Sequence, residues 1–453
     1  MKSFIHILDR LENIIWGPPL LGLLLFTGLY LTVRLRFVQF RYLWYSLKLA
    51  FTRHDDQAEG DISHFQALMT ALAATIGIGS ISGVATAIVI GGYGALFWMW
   101  VTAFLGMATK YTEALMAIKY RTTDERGEMC GGPMYYLKRG LKLPILPGFF
   151  AIAGAVTAVI TGNMVQANSV SSAIATLFGV EEWITGLILA FFTAMALIGG
   201  IRSIAKVASL FVPFMATLYI VSALVILVMR FDMILPAFYM IFKDAFTGTA
   251  AVGGFVGSGM ILAVQFGIAR GVFTNEAGLG SAPIAAAAAK TDVPGRQALV
   301  SMSSVFITTL IVCTLTGLVI GVTGGLGQLG ANGHILNGSP LIVWCFDQVI
   351  PFGGWLVTIA LILFAYSTIL GWAYYGEKCF EYLFGVSSTI WYRFAFSLIV
   401  IPGAMLSLNL VWKVADIMNG FMVLPNLIGL IGLAKIASLE NNRFMNQLHS
   451  EGN

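Results

Sequence analysis

Long apolar runs, each closed by a short polar segment, repeat along almost the whole chain. A helix needs about 20 such residues to cross a bilayer. Runs of that kind fall at 14–33, 63–90, 93–117, 148–177, 183–200, 208–229, 252–289, 298–322, 354–376, 394–408 and 411–434. The pattern predicts an all-α polytopic membrane protein with about 11 transmembrane helices. The stretch 231–246 is amphipathic and reads as a helix lying in the interface.

Two runs are interrupted. The second contains Gly77-Ile78-Gly79-Ser80-Ile81-Ser82-Gly83, and the seventh contains Arg270-Gly271-Val272-Phe273-Thr274-Asn275-Glu276-Ala277-Gly278-Leu279-Gly280. Setting aside the leading helix leaves ten, with the breaks in the first and the sixth. Broken helices in matching positions of two five-helix halves predict a 5+5 inverted repeat with its binding site between them. The expected division is a leading helix and cytoplasmic linker (1–60), a first repeat (61–230), an extracellular interfacial segment (231–251), a second repeat (252–438) and a cytoplasmic tail (439–453).

The cationic residues give the expected orientation. With the amino terminus outside, 19 of the 26 Lys and Arg fall in inner segments, five fall outside, and Lys110 and Arg270 lie within spans. Inner loops collect such residues, so the alternation supports eleven crossings of the cell (inner) membrane and a cytoplasmic carboxyl terminus.

Composition narrows the class. Hydrophobic residues make up 58% of the chain and charged residues 11%, against about 25% charged in soluble domains. No basic stripe interleaved with aromatics suggests nucleic acid, and no GxxxxGK loop suggests ATP-driven pumping. The four cysteines have no metal spacing, and the histidines form no HExxH pair. An intramembrane enzyme would need a nucleophile and base or metal ligands at depth, and a channel would show filter loops or charged rings; neither pattern is evident. The run 14–33 is too long for a signal peptide and is read as a retained helix.

Several ordered motifs carry a family resemblance. The segment Gly91-Gly92-Tyr93-Gly94-Ala95-Leu96-Phe97-Trp98-Met99-Trp100-Val101-Thr102-Ala103-Phe104-Leu105-Gly106 resembles the signature of the alanine or glycine:cation symporter family. So do Phe65-Gln66-Ala67-Leu68, Leu72-Ala73-Ala74-Thr75, Gly131-Gly132-Pro133-Met134-Tyr135-Tyr136-Leu137, Thr274-Asn275-Glu276-Ala277-Gly278-Leu279-Gly280-Ser281-Ala282 and Thr368-Ile369-Leu370-Gly371-Trp372. The resemblance covers about 17–434. It implies a LeuT-type fold with one extra leading helix, and sodium-coupled symport of a small neutral amino acid, alanine or glycine, by a monomer in membrane lipid. It implies no enzymatic activity and no cofactor besides Na+ as coupling ion. A proton-coupled symporter of a related amino acid is the alternative. The chain departs from the family at Gly77-Ile78-Gly79-Ser80, where Gly-Thr-Gly-Asn is usual, and at Ala286, where a histidine is common.

The site follows from the cargo. A zwitterion leaving water needs replacement partners, and a broken helix offers free N–H and C=O groups. The first break places the carboxylate near Gly79, Ser80 and Gly83, with Thr75, Gly77 and Ile78 alongside. The second, from Gly267 to Gly280, is expected to turn carbonyls toward the ammonium, with Gly267, Gly271, Phe273 and Asn275 in the site. Asn163 and Gln166 either complete it or act as polar glue between helices, and Trp372 is either a pocket wall or packing. The resemblance implies a sodium shell from the carbonyls of Ala73, Ile76 and Phe364 and the hydroxyls of Ser367 and Thr368. Arg270 and Glu276 are expected to form a gating pair that closes the cytoplasmic side. Lys110 with Glu113, and Asp416 with Lys413, read as local pairs.

Overall fold

A computed structural model describes residues 2–52, 58–247, 256–330 and 333–451. Residues 248–251 of the expected interfacial segment, the start of the run at 252 and the inner-side Arg53 lie outside the described residues. The chain is helical nearly throughout. Among the described residues the one sheet is a two-stranded antiparallel hairpin, Thr122–Thr123 with Met129–Cys130.

Among the described residues seven helices are long and apolar enough to cross a membrane. The first, His6–Arg34, bends at Gly17 into Pro18–Arg34 (α1). The expected run at 63–90 divides into His64–Thr75 (α2) and Ser82–Gly91 (α3). Gly94–Lys119 (α4) follows. Then come Leu146–Phe178 (α5), Glu182–Leu197 (α6) and Gly200–Met229 (α7). The interfacial stretch is a 3-10 turn, Phe231–Met233, leading into the helix Ile234–Thr247. The second broken run divides into Val256–Asn275 (α8) and Ala282–Ala287 (α9). The chain ends with Pro294–Thr323 (α10), Gly353–Phe384 (α11), Thr389–Met405 (α12) and Leu408–Glu451 (α13).

Local chemistry sets the ends of the broken helices. Ser63 caps α2 by accepting from Gln66 N–H, and the Gln66 side chain accepts from Ser63 N–H, a reciprocal capping box. The helix stops at Thr75, and Ile78–Ser80 form a single 3-10 turn before α3. The second break is later and shorter than the sequence suggests. Helix α8 runs through Gly267 and Gly271 to Asn275, so the interruption is confined to Glu276–Ser281. There Glu276, Gly278 and Gly280 all have positive φ, a region costly for non-glycine residues.

Gly267 and Gly271 have another role. A Cβ at Gly267 would stand 2.5 Å from the Ala95 carbonyl, and one at Gly271 would stand 2.3 Å from Thr102 Oγ1. Both glycines let α8 lie directly on α4. Small residues serve helix contact in membranes as readily as they serve breaks, which is why the sequence reading drew the break too wide.

The four cysteines are unpaired and buried. Large apolar side chains such as Phe191, Leu210, Val228 and Ile390 are exposed on the outer faces of α6, α7 and α12. In a bilayer those faces meet lipid.

Candidate functional site

The first break meets the last turn of α8, just ahead of the second break. Gly79, in the 3-10 turn of the first, lies under the ring of Phe273, one turn before the second; a Cβ at Gly79 would come within 2.8 Å of Phe273 Cδ1 and 3.1 Å of Thr274 Oγ1. The Ile78 side chain packs with Phe273, Val165, Ala365 and Trp412 in a small apolar cluster. Ile78 N–H donates to Gln166 Oε1 at 3.3 Å, and Gln166 Nε2 donates to the Thr161 carbonyl at 3.2 Å. Gln166 therefore faces the first break.

Ser80 is tied on two sides. Its hydroxyl reaches the Thr75 carbonyl at 3.5 Å. Its own carbonyl accepts from Thr316 of α10 at 2.9 Å, and Thr316 pairs in turn with Tyr219 at 2.7 Å. Gly83 is the second residue of α3, in loose contact with Trp412 and Arg270. Thr75 keeps its hydroxyl within its helix, donating to the Ala71 carbonyl at 2.7 Å. That is the ordinary resting bond of a helical threonine.

Trp372 presses on α5 at a special place. A Cβ at Gly162 would fall 2.1 Å from Trp372 Cβ. Gly162 belongs to a π-helical segment, Ala158–Met164, a geometry that recurs at functional sites.

Beside the first break lies a set of oxygens. Ala73 is in the last turn of α2, and its carbonyl has lost the helical donor it would otherwise take from Gly77. Thr368 Oγ1 fills that place at 2.7 Å, and Ser367 Oγ reaches the same carbonyl at 3.5 Å and that of Phe364 at 2.9 Å. Gly77 adjoins this group: a Cβ on it would stand 2.4 Å from Thr368 Oγ1. The peptide between Ile76 and Gly77 therefore lies against Thr368. These bonds link four expected shell members, Ala73, Phe364, Ser367 and Thr368, and the fifth, Ile76, is adjacent.

Other expectations are corrected. Arg270 and Glu276 do not pair. They are six residues apart, on different sides of the helix end, and Arg270 instead makes a bidentate bond with Asp416 of α13 at 2.6 and 2.8 Å. The guanidinium lies 4.3 Å over the Trp412 ring. Asp416, expected beside Lys413 from the local spacing, is engaged by Arg270. Asn163 points away from the breaks and donates to the Phe396 carbonyl of α12 at 2.6 Å. Asn275 caps the end of α8, accepting from Ala277 N–H at 2.9 Å. Gly267 and Gly271 are contact residues of α4, as described above. Lys110 and Glu113 turn to the second break rather than to each other: Lys110 Nζ donates to the Asn275 carbonyl at 2.8 Å, and Glu113 Oε1 accepts from Gly278 and Gly280 N–H at 3.1 and 3.0 Å.

Two further contacts lie on opposite sides of this region. On one side, a cavity of about 540 Å³, bordered by Glu12, Gln265, Trp412 and Lys413, ends on the Arg270–Asp416 pair. On the other, the Arg121 guanidinium donates to four carbonyls, those of Glu59, Ala287, Ala289 and Thr291, at 2.7–3.1 Å. Ile62 and Ala289 form a parallel bridge beside it. Arg121 thereby fastens the approach to α2 to the end of α9. Nearby, burial holds the Asp61 carboxyl above its usual range, opposed by the bond it accepts from Met129 N–H at 2.8 Å.

Sequence reasoning missed four participants. Thr274 lies inside a quoted motif, and its buried hydroxyl, beside Gly79, has no hydrogen-bond partner. The order of motifs could have flagged it. Asp416 and Arg121 could not be found that way, since their partners are at least 60 residues away in the chain. Asn426 is the fourth; it donates to Glu113 at 2.6 Å.

Comparison with known proteins agrees with this architecture. The chain is 56% identical over 447 residues to the sodium/alanine symporter AgcS of Methanococcus maripaludis, covering 98% of this chain and 97% of that one. It is 34% identical to the probable sodium/glutamine symporter GlnT of Bacillus subtilis, covering 95% and 88%. Among solved structures it resembles MhsT in complex with L-phenylalanine, with a TM-score of 0.58 at 15% identity over 85% of this chain and 99% of that one. That likeness shows a LeuT-type fold. The sodium:alanine symporter family matches residues 1–453. The chain is a multi-pass membrane transporter, a sodium-coupled amino-acid symporter, and belongs to the sodium:alanine symporter family.

Proposed function

We propose that this protein carries alanine or glycine together with sodium by alternating access, binding the amino acid where the first break meets the last turn of α8. The observation that carries this reading is the contact of Gly79 with Phe273 and Thr274, beside the oxygen group around Thr368. The N–H groups of Gly79 and Gly83 suit the substrate carboxylate; that of Ser80, between them, is held by the Gly77 carbonyl at 3.1 Å. Gly77, Ile78, Thr75 and Gln166 border it, and Thr274 joins the set through its unpartnered hydroxyl. Phe273 and Trp372 limit the side chain to one of alanine's size.

Sodium is cargo here, and the residues fit it. A hard cation takes several oxygens, which Ala73, Ile76, Phe364, Ser367 and Thr368 can supply once the Thr368 hydroxyl turns from its carbonyl to the ion.

In this reading the chain crosses eleven times, as a leading helix and a 5+5 inverted repeat, which sets the termini on opposite sides, and the bias of Lys and Arg toward one set of loops puts the amino terminus outside. With that topology Arg270–Asp416 is the outer gate and the Arg121 clamp the inner one. A bent first helix, the 3-10 and α-helical segment at 231–247 and the matching breaks support this arrangement. The transporter works as a monomer, each chain holding its own site. Uptake of labelled amino acids into proteoliposomes tests the reading: alanine or glycine must accumulate only with an inward sodium gradient. Accumulation driven by a pH gradient without sodium would refute it.

A further inference from the structure

Three ionisable side chains are buried at the second break, away from the oxygen group around Thr368. Lys110 and Glu113 come from α4, and Glu276 lies in the break itself; none is more than 1% exposed. Lys110 is in electrostatic reach of both carboxylates. With all three ionised, the group carries one uncompensated negative charge.

The groups that face it from the surrounding helices do not supply the missing cation. Tyr136, on the helix Pro133–Arg139, neighbours Glu113 and is bonded to Asn426. Asn426 of α13 donates to Glu113 at 2.6 Å. Tyr375 of α11 neighbours Glu276, as does the Trp372 indole. Arg270 is engaged by Asp416. Among the described residues, Lys110 is the one cation at this break. An unpaired buried charge is strongly unfavourable, so a positive equivalent is missing.

The two carboxylates are not alike. Glu113 Oε1 accepts three N–H donors, from Gly278, Gly280 and Asn426, an arrangement suited to an anion beside Lys110. Each carboxylate has one oxygen without a partner, Glu113 Oε2 and Glu276 Oε1, but Glu276 has fewer donors: Oε2 accepts a hydroxyl bond from Ser281 at 2.7 Å, with the Trp372 indole beside it. The hydroxyl of Tyr375, 1% exposed, is also without a partner and can accept from a protonated carboxyl. Such a position lacks the several oxygens sodium takes, whereas a proton needs one.

We infer that Glu276 is a proton-binding site distinct from the sodium site, holding one proton in this structure while Glu113, with its three N–H donors, stays ionised and Lys110 balances its charge. Loss of that proton leaves a bare charge at the turn joining α8 to α9, next to the Phe273–Gly79 contact. The consequence for transport rests on the sodium-coupled reading above. As pH rises and Glu276 ionises, sodium-driven uptake falls.

Infrared spectroscopy of the purified protein tests the site without transport, so its failure is distinguishable from failure of that reading. At neutral pH the wild type should show a protonated-carboxyl carbonyl band that Glu276→Gln removes and Glu113→Gln retains. Should Glu276→Gln not fold, Ser281→Ala, which removes the hydroxyl donor, should shift the same band. A wild type without the band, a band lost only in Glu113→Gln, one unmoved by Ser281→Ala, or one abolished by sodium at fixed pH would each overturn the inference. In proteoliposomes the fall in uptake with rising pH should be present in the wild type and absent in Glu276→Gln.

Discussion

At the scale of single residues, the site depends on what a side chain lacks as much as on what it offers. Gly79 is needed because the Phe273 ring occupies the place of a Cβ, 2.8 Å away. Gly79→Ala must push the ring aside or separate the breaks, and overpacking of this kind costs about 1–3 kcal/mol. Uptake should fall about tenfold or more while the protein still purifies as a folded, monodisperse species; normal uptake by the variant would remove Gly79 from the site. Thr368 is the reverse case. Its hydroxyl crosses to the Ala73 carbonyl instead of bonding one turn back, which frees it to face an ion. A hydrogen bond to a charged group contributes about 1.5–3 kcal/mol, so Thr368→Ala should raise the sodium concentration for half-maximal uptake by about tenfold or more. Sodium titration of uptake checks this, with substrate recognition changing less. Ile78, where the family usually has threonine, packs against the apolar cluster around Phe273. Ile78→Thr should alter substrate choice or sodium affinity, and identical kinetics in a competition assay would show that it only packs.

At the scale of elements, both breaks were legible in the sequence, but only one had its right extent. The first combines three glycines with two serines inside an apolar run, and the polarity marks it. The second was drawn from Gly267 because glycine looks the same whether it ends a helix or lets two helices touch. The gating pair was misread because sequence distance favoured Glu276, whereas the helix geometry turns Arg270 toward Asp416, 146 residues on. Removing one member of a buried pair costs about 3–5 kcal/mol. Asp416→Ala should therefore destabilise the closed outer end and increase reaction of an introduced cysteine at Gln265 with a membrane-impermeant thiol reagent added outside. The Arg121 clamp makes the matching prediction inside. It joins two half-helices through four carbonyls, so Arg121→Ala should speed labelling from the inner side of a cysteine placed at Thr70. Unchanged labelling would show that the bridge between Ile62 and Ala289 holds that end without it.

At the scale of the whole molecule, alternation of apolar runs with basic loops was enough to predict a polytopic chain. The motifs were enough to predict its family. What remained hidden were contacts between distant helices: α8 on α4, Asn163 on α12, and the burial of Lys110, Glu113 and Glu276 at one break. Each depends on how helices rotate about their axes when they pack, and periodicity in an all-round apolar helix carries little of that information. The assembled molecule places two interrupted helices in contact, an oxygen group beside them, the Arg270–Asp416 pair on one side and the Arg121 clamp on the other. The central claim is that this arrangement couples sodium to a small neutral amino acid. Purified protein in sealed liposomes, given a panel of labelled amino acids with and without an inward sodium gradient, measures it directly. Alanine or glycine should accumulate above equilibrium with the gradient and stop accumulating without it; equal accumulation in both conditions, or accumulation of large side chains alone, would contradict the account.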